Sequence, residues 1–323
     1  CESISAGIAP DEVAVVESSL ESLITGPNPV DLVLLSGGTS KGEGDINSEA
    51  IVRLAERLPD SPGIVVHGVA LKPGKPILLS VVASKPVVVL PGFPTSAVFT
   101  FHEFVAPLLR RLSGVPEDVI HVVQAFAPIR ITSVSGRAEY SLVDLVEGVQ
   151  GLAAYPLGAG SGSVTAFGRA DGFVRIPATT EYVDQGAEIE VRLLSENLRT
   201  HDLVVIGSHC VGLDFLLSQL QHNGVHGKFL SVGSTAGLAA AARGECDIAG
   251  VHLLDPKTGQ YNTPFLQSGM TLIAGYRRRQ GILFRRGDER FEGRTIEQAV
   301  EQATLDIDCR MVNRNQGSGT RIL

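Results

Sequence analysis

The sequence lacks an excess of basic residues, a long apolar run and a signal peptide, and each absence argues against a class of protein. With 27 Lys and Arg against 35 Asp and Glu, the net charge is −8. A general nucleic-acid binder is therefore not expected, because such proteins neutralise phosphates with basic side chains. No apolar run approaches the roughly 20 residues of a membrane helix, and the N-terminal residues do not resemble a signal peptide. We expect a cytoplasmic protein with neither a membrane nor a nucleic acid as partner.

Cysteine is scarce, and its spacing does not suggest metal binding. The four cysteines are Cys1, Cys210, Cys246 and Cys309. None forms a Cys-x-x-Cys pair or lies near a His at zinc-finger spacing, so we expect free or buried thiols in a reducing compartment. The 323 residues favour two or three domains. Because the chain does not begin with Met, we expect it to be a fragment of a longer protein.

Residues 1–113 alternate between strand and helix patterns. Short apolar runs at 30–35, 64–69, 77–82 and 87–90 predict strands, and helical spacing of apolar residues over 48–58 and 98–112 predicts helices. Pro107 is expected to kink the second of these helices. Continuous apolar strands between helices favour a parallel sheet that is covered on both faces. We therefore predict an α/β domain.

Residues 114–195 and 196–323 have two different patterns. Strand-like runs at 119–126, 129–134, 139–143, 163–169, 173–177 and 189–194, separated by glycine turns, predict a small β-barrel domain. After residue 196 the alternation returns, with strands at 203–207, 229–232 and 248–253 and helices at 211–220 and 235–243. The chain stops where a further helix would open, so we expect the last α/β domain to be incomplete.

A glycine-rich loop, SGGTSKGEGD at residues 36–45, follows the first predicted strand. Open α/β sheets bind ligands at this carboxyl edge, and glycines let the backbone approach a ligand closely. Carboxylates at Glu43 and Asp45 suit Mg²⁺. A flexible turn without a ligand is the alternative. The candidate binding residues here are Ser36, Gly37, Gly38, Thr39, Ser40, Gly42 and Glu43, with Asp45 and Glu43 as candidate metal ligands.

Two further loops follow later strands. LKPGKP at 71–76 places two lysines on a rigid turn, and PGFPTSA at 91–97 opens a helix whose free N–H groups suit an anion. Either could be a plain turn, but together the three loops favour anion binding at one sheet edge. The candidate binding residues are Lys72, Gly74, Lys75, Pro91, Gly92, Pro94 and Ser96.

The order SGGTSKGEGD, LKPGKP, PGFPTSA resembles the molybdopterin molybdenumtransferases, the family that includes the C-terminal part of gephyrin. The resemblance covers about residues 5–195, including GSGSVTAFGRADGFVRIP in the predicted barrel. It implies a three-layer MogA-like molybdopterin-binding domain followed by a β-barrel. It also implies an enzyme that inserts molybdate or tungstate into adenylylated molybdopterin with Mg²⁺ and releases AMP. Asp45, and Asp11 in the segment before the first helix, are the implied catalytic residues.

Two departures from this family limit what the resemblance implies. The third loop usually reads PGNP, and Phe93 stands where the family has Asn, so the amide of that side chain is lost. The family's N-terminal domains, which complete the active site from the second protomer of a homodimer, are absent. We expect the fragment to bind a pterin without catalysing turnover.

The last segment resembles a type II periplasmic-binding-protein-like domain, related to the ligand domains of LysR-type regulators, that is fused to some molybdenumtransferases. The motifs are DLVVIGSHCVGLD, GSTAGLAAAARGECDIAGVHL and NRNQGSGTR. Hydroxyls at helix starts can bind an oxyanion such as molybdate or tungstate, or can simply cap the helices. The candidate ligand-binding residues are Ser208, Ser234, Thr235, Ser318 and Thr320. His209 and His252 are expected to be packed or hydrogen-bonded rather than bound to metal.

Two other functions compete with this interpretation. A relative of nicotinamide-nucleotide amidases could carry a similar pterin-type domain, but the β-barrel and the LKPGKP loop argue against it. The chain could also be a sensor that is not an enzyme, in which the last domain binds molybdate, tungstate or another small ligand and the pterin domain is vestigial. The acidic and basic residues of the first loop argue against a vestigial site.

Overall fold

The structure is a computed structural model that describes residues 1–38, 45–116, 120–158, 164–196, 198, 201–273, 275–276 and 281–312. The chain divides into two units. The first contains Cys1–Val146 and Gly151–Arg199, and the second contains Glu147–Gln150 and Thr200–Leu323. The predicted α/β and β-barrel domains thus belong to one unit, and the domain boundaries at residues 113 and 195 stay predictions.

The α/β part of the first unit is built on a four-stranded sheet. In chain order the strands of this region are β1 (Val33–Ser36), β2 (Gly63–His67), β3 (Leu71–Lys72), β4 (Leu78–Val82) and β5 (Lys85–Leu90). The short strand β3 is not part of the four-stranded sheet. The sheet order is β1-β5-β4-β2. β1 and β5 are parallel, whereas β4 is antiparallel to both β5 and β2.

The prediction of a parallel sheet was therefore wrong for β4. A two-residue turn, Ala83-Ser84, joins β4 to β5 with both residues at positive φ (47° and 59°). Such hairpin turns usually carry Asn-Gly or Asp-Gly, and Ala-Ser gives no such signal. Backbone N–H groups of the turn donate to the Ser61 hydroxyl at 2.8 Å and to the Asp60 carbonyl at 2.9 Å. These two hydrogen bonds hold the turn in a positive-φ conformation that the Ala-Ser sequence does not favour by itself.

Helices cover both faces of the sheet, which confirms the three-layer arrangement. The helices are α1 (Val13–Thr25) and α2 (Ile46–Arg57), then α3 (Pro94–Thr100), a π-helical turn (Phe101–Val105) and α4 (Ala106–Leu112). Val87 and Val89 of β5 pack under α1 and α2, and Val88 packs on the other face against Val105, because alternate strand residues point to opposite faces. The π-helical turn lies just before Pro107, where a kink was expected.

The remaining strands of the first unit form a small β-barrel, as predicted, and a separate two-stranded sheet. They are β6 (Val122–Phe126), β7 (Ile131–Thr132), β8 (Ala138–Gly148), β9 (Gly151–Pro156), β10 (Gly172–Ile176), β11 (Tyr182–Val183) and β12 (Glu188–Leu193). The barrel sheet has the order β3-β8-β9-β6-β12-β10, and β10 also pairs with β8 to close five strands. β7 and β11 pair with each other in the two-stranded sheet. β3 adds to the outside of the barrel by pairing in parallel with β8. The LKPGKP loop is thereby joined to the barrel.

The strand predicted at residues 163–169 was wrong, since Val164–Arg169 forms a short helix, α5. Its Phe167 ring packs edge-on against Phe99 of α3, with ring centroids 5.6 Å apart. This tertiary contact overrides the local β-preference of Val-Thr, as such contacts often do. The strand β9 was not predicted, because its GLAAYP sequence lacks the β-branched residues that mark a strand.

The second unit contains a parallel three-stranded sheet in the order β14-β13-β15. Its elements are β13 (Leu203–Gly207), α6 (Val211–His222), β14 (Gly227–Ser231), α7 (Ser234–Ala242), β15 (Ile248–Gly250), a 3₁₀ turn (Thr263–Phe265) and α8 (Ile296–Leu305). The strands and helices predicted between residues 203 and 253 are thus present. The helix expected at the chain end lies outside the described residues. Among the helices that the structure describes, none is long and apolar enough to cross a membrane.

Candidate functional site

The sheet topology of the first unit brings the three predicted loops to one edge. β1 and β5 run parallel and β2 runs the same way, because β4 is antiparallel to both of its neighbours. The carboxyl ends of β1, β2 and β5 therefore meet at the edge where β4 begins. Open sheets containing parallel strands bind ligands at this edge.

A cleft of about 830 Å³ opens at this edge, within the size range of small-molecule sites. Its apolar wall includes Val69, Pro91 and Phe93, and its basic groups are Lys75 and Arg137 together with His67. No carboxylate occurs among the described residues that line it. The lining residues are Gly38, His67, Gly68, Val69, Ala70, Lys75, Pro76, Pro91, Gly92, Phe93, Gly136 and Arg137.

The first and third loops approach each other closely at glycines. The Gly37 N–H donates to the Leu90 carbonyl at 3.1 Å, and the Asn47 amide donates to the Gly37 carbonyl at 2.9 Å. A Cβ at Gly38 would collide with the Asn47 amide, and one at Gly92 would lie 3.5 Å from the Gly37 Cα. Glycine is therefore favoured at position 38, where φ is also +67°, whereas a Cβ at position 92 would make only an ordinary van der Waals contact. The role of Asn47 was not predicted, because nothing in the sequence marks it as a clamp.

Asp45 is placed at the N-cap of α2. Its Oδ1 accepts a hydrogen bond from the Ser48 backbone N–H at 3.2 Å, and its Oδ2 lies 3.2 Å from Nε2 of His67. Both oxygens of this predicted catalytic carboxylate and metal ligand thus have protein partners. In the part of the chain that the structure describes, no group of three or more His, Cys, Asp or Glu residues could hold a metal ion.

Several predicted residues of the first loop cannot be placed. Thr39, Ser40, Gly42 and Glu43 lie outside the described residues. The described loop therefore offers one carboxylate, Asp45, which alone does not make a Mg²⁺ site.

The second loop separates its two lysines. Nζ of Lys72 lies 2.9 Å from Oε1 of Glu139, whose side chain is only 8% exposed and whose Oε2 accepts from the Ser133 hydroxyl at 3.0 Å. Lys75 lines the cleft and makes no ion pair with a described residue. Gly74 faces α3 instead, because a Cβ there would collide with Cγ2 of Thr100. Of the three predicted binding residues in this loop, only Lys75 faces the cleft.

The third loop contributes its first residues to the cleft. Phe93 is 61% exposed, lines the cleft and occupies the N-cap of α3 without a side-chain hydrogen bond. The N-terminal amides of this helix thus lack the side-chain acceptor that an Asn would supply. Pro91 and Gly92 line the cleft, whereas Ser96 is buried at 3% exposure.

Besides Asp45, Lys72, Gly74 and Ser96, four further predicted residues of the first unit do not line the cleft. Ser36 and Gly37 end and follow β1, and the exposed Pro94 begins α3. Asp11 is exposed in the segment before α1. The structure therefore does not bring Asp11 together with the loop residues in the part of the site that it describes.

Sequence reasoning missed His67 and Arg137. His67 is the last residue of β2, where a plain strand was expected. Arg137 precedes β8 of the barrel, and it enters the cleft because Leu71 and Ala138 pair in register. Such a long-range strand pairing leaves no local pattern by which Arg137 could be found.

The predicted hydroxyls of the second unit follow its parallel strands. Ser234 is 5% exposed, and its hydroxyl accepts from the His252 backbone N–H at 3.1 Å and lies 3.1 Å from Nδ1 of that ring. Ser208 follows β13 and donates its N–H to the Gly250 carbonyl at 2.8 Å. Thr235 is exposed. Ser318 and Thr320 lie outside the described residues.

The two histidines singled out by the sequence analysis, His209 and His252, are hydrogen-bonded, as predicted. His252 contacts Ser234, and Nε2 of His209 lies 2.7 Å from Oδ2 of Asp214. The N-cap of α7 is Gly233, so Ser234 does not cap that helix. Its hydroxyl instead holds the loop after β15.

Three family models match successive parts of the chain. Residues 1–111 match the model described as "Probable molybdopterin binding domain". Residues 124–194 match "MoeA C-terminal region (domain IV)", and residues 217–323 match "PBP superfamily domain".

Individual relatives match over part of their length. Molybdopterin molybdenumtransferase of Haemophilus influenzae is 33% identical over 114 residues, which are 35% of this chain and 26% of that protein. Molybdopterin molybdenumtransferase 2 of Mycobacterium tuberculosis is 30% identical over 161 residues, 50% of this chain and 39% of that protein. A molybdopterin biosynthesis MoeA protein of Pyrococcus horikoshii aligns at 37% identity and a TM-score of 0.46, covering 58% of this chain and 43% of that one. The chain thus spans well under two thirds of each of these relatives.

Proposed function

We infer, from a chain that combines a molybdopterin-binding domain with a MoeA C-terminal region and a PBP superfamily domain, that it acts in molybdenum cofactor biosynthesis. More specifically, the chain belongs to a molybdopterin molybdenumtransferase. That enzyme inserts molybdate or tungstate into adenylylated molybdopterin and releases AMP. Because this chain covers only part of its relatives, the complete active site is proposed to form in a homodimer that includes the segments of those relatives which this chain does not cover.

The cleft of the first unit is the observation that carries this proposal. Its apolar wall at Val69, Pro91 and Phe93 suits the flat face of a pterin, and Lys75 suits the phosphate of the same ligand. The absence of carboxylates among the described lining residues favours an anion. Glycines let the loop backbone reach the ligand without a steric barrier.

Mg²⁺ would have to be held mainly by groups other than those described. Asp45 is the one described candidate ligand, and its two oxygens contact Ser48 and His67. The second candidate, Glu43, lies outside the described residues. We therefore assign to the described residues the binding and orientation of the pterin and its phosphate, with Mg²⁺ as a proposed cofactor of the complete enzyme.

Titration of the chain with molybdopterin tests the proposal. Saturable binding is expected, and Lys75→Gln should weaken it about tenfold, since charge-assisted bonds to phosphate contribute about 1.5–3 kcal/mol. Lys85→Gln is the matched control, because Lys85 begins β5 at the opposite end of the sheet and pairs with Asp31 at 3.4 Å. Absence of saturable pterin binding would contradict the proposal.

The second unit is proposed to bind a small ligand, with molybdate or tungstate as the first candidates. The match to a PBP superfamily domain and the three parallel strands ending at one edge favour this function. A chain that binds molybdate but no molybdopterin would favour the sensor function over the enzyme.

A further inference from the structure

Arg137 is a half-buried cation that the barrel contributes to a cleft otherwise built by the α/β part of the first unit. We propose that Arg137 is a binding residue for phosphate, acting together with Lys75 on a phosphate or diphosphate group of the ligand. This inference rests on the proposed function only for the identity of the natural ligand. The proposed site consists of two cations, Lys75 from the α/β part of the unit and Arg137 from the barrel part, which bind one phosphate or diphosphate group.

The backbone on both sides of Arg137 is held in place. The Gly136 N–H donates to the Ala178 carbonyl at 2.8 Å, and the Ala138 N–H donates to the Ala70 carbonyl at 3.0 Å. The second bond belongs to the β3–β8 pairing, so it ties Arg137 directly to the LKPGKP loop that carries Lys75. A guanidinium whose backbone is already fixed loses less conformational freedom when it binds.

The nearby carboxylate does not cancel the charge of Arg137. Glu139 follows two residues later, but its two oxygens are taken by Lys72 at 2.9 Å and by the Ser133 hydroxyl at 3.0 Å. Lys72 therefore neutralises Glu139, and Arg137 forms no ion pair within the described chain. This explains why a loop with two lysines directs only one of them to the cleft.

The two cations have complementary chemistry. Arg presents a planar fork of N–H donors that matches two oxygens of a phosphate, whereas Lys offers a compact charge with freely rotating donors. The described lining residues include no carboxylate that would repel a dianion. The site thus favours a phosphate over a neutral ligand, even though the chain carries a net charge of −8.

Inorganic pyrophosphate is the probe that tests the site without any pterin. Isothermal titration of the 323-residue chain should show pyrophosphate binding that weakens with added salt. We expect Arg137→Gln to weaken it about tenfold or more and Arg137→Lys to weaken it less. Arg130→Gln is the matched control, because Arg130 precedes β7 in the same unit, is 59% exposed and pairs with Asp184 outside the cleft.

Thermal denaturation of each variant separates lost binding from lost folding. Normal affinity in folded Arg137→Gln, or no pyrophosphate binding by the parent at millimolar concentration, would overturn the proposal. An equal loss in Arg130→Gln would also overturn it, because the effect would then be one of general charge. Titrations of the parent chain with molybdopterin and with its dephosphorylated form are a separate experiment. If the parent binds pyrophosphate through Arg137 but neither pterin, the proposed function fails and the phosphate site stands.

Discussion

Nε2 of His67 lies 3.2 Å from Oδ2 of Asp45, so that the end of β2 is joined to the start of α2. The other carboxylate oxygen accepts the Ser48 N–H and caps the helix. The Asp45 side chain thus caps the start of α2 and contacts a cleft-lining histidine. Asp45 is also the last residue of the glycine-rich loop. The helix cap and the proposed chemical role of this carboxylate can be separated by substitution.

Asp45→Asn should leave the fold intact and severely reduce molybdenum insertion in the complete enzyme. Asn caps helices as well as Asp does, whereas Asp45→Ala should cost about 0.5–2 kcal/mol of stability through loss of the cap. Thermal denaturation measures the first effect, and cofactor formation by the complete enzyme measures the second. Near-normal cofactor formation by the Asn variant would show that the carboxylate charge is not needed.

Lys72→Ala should destabilise the first unit by about 1–3 kcal/mol, because it leaves the buried carboxylate of Glu139 without its cation. The double variant Lys72→Met with Glu139→Gln removes both charges and should recover most of that loss. It should also keep the parent's affinity for pyrophosphate, measured by titration. If the double variant loses that affinity while staying folded, Lys72 binds phosphate directly and the present assignment of its role is wrong.

The sequence predicted the parts of the site that depend on local patterns. Strand ends, glycines and the lysine at position 75 are encoded in short motifs, and the structure places them at one edge. Lys72 and Lys75 are equivalent in the motif, however, and only the pairing of β3 with β8 directs one to Glu139 and the other to the cleft. That difference is set by contacts between distant segments, which a single sequence does not display.

The same limit explains the errors in the fold. The turn at Ala83-Ser84 depends on hydrogen bonds to residues 60–61, and α5 depends on packing of Phe167 against Phe99. In the second unit, by contrast, β13 and α7 follow from strong local patterns and were predicted to within two residues. Elements stabilised by their own sequence were found, and those stabilised by partners were not.

Phe93→Asn should stabilise α3 and weaken pterin binding at the same time. Asn at the N-cap supplies an acceptor that Phe93 lacks, a contribution of about 1 kcal/mol, but it removes an aromatic face from the cleft. Phe93→Ala is the control that loses the face without gaining the cap. Thermal denaturation should show that the Asn variant is more stable than the Ala variant. Titration should show weaker molybdopterin binding in both variants. Unchanged affinity in both variants would exclude Phe93 from the site.

Cys246 should resist alkylation at pH 8, whereas the exposed Cys1 reacts readily. Burial raises the pKa of the Cys246 thiol to about 11, and only the thiolate is nucleophilic. Its reaction with iodoacetamide, followed by mass spectrometry, should accelerate as the pH rises towards 11. In the unfolded chain the thiol ionises at about pH 8.5, so its burial contributes stability that is lost as the pH rises through this window. Equal rates for Cys1 and Cys246 in the folded chain at pH 8 would contradict the prediction.

Ser234 and Thr235 are neighbours at the start of α7, and the structure gives them different roles. Ser234→Ala should destabilise the second unit by about 1–3 kcal/mol, because the buried hydroxyl accepts the His252 N–H. Thr235→Val should leave stability nearly unchanged, since Thr235 is exposed, but should weaken an oxyanion bound at that edge. Calorimetry of the chain with molybdate and tungstate, using sulfate as competitor, measures this binding.

A parent chain that gives no heat with molybdate or tungstate at millimolar concentration would reject the oxyanion as the ligand. It would leave a small organic ligand for the second unit, and the stability effect of Ser234→Ala should persist in either case because it depends only on the contact with His252.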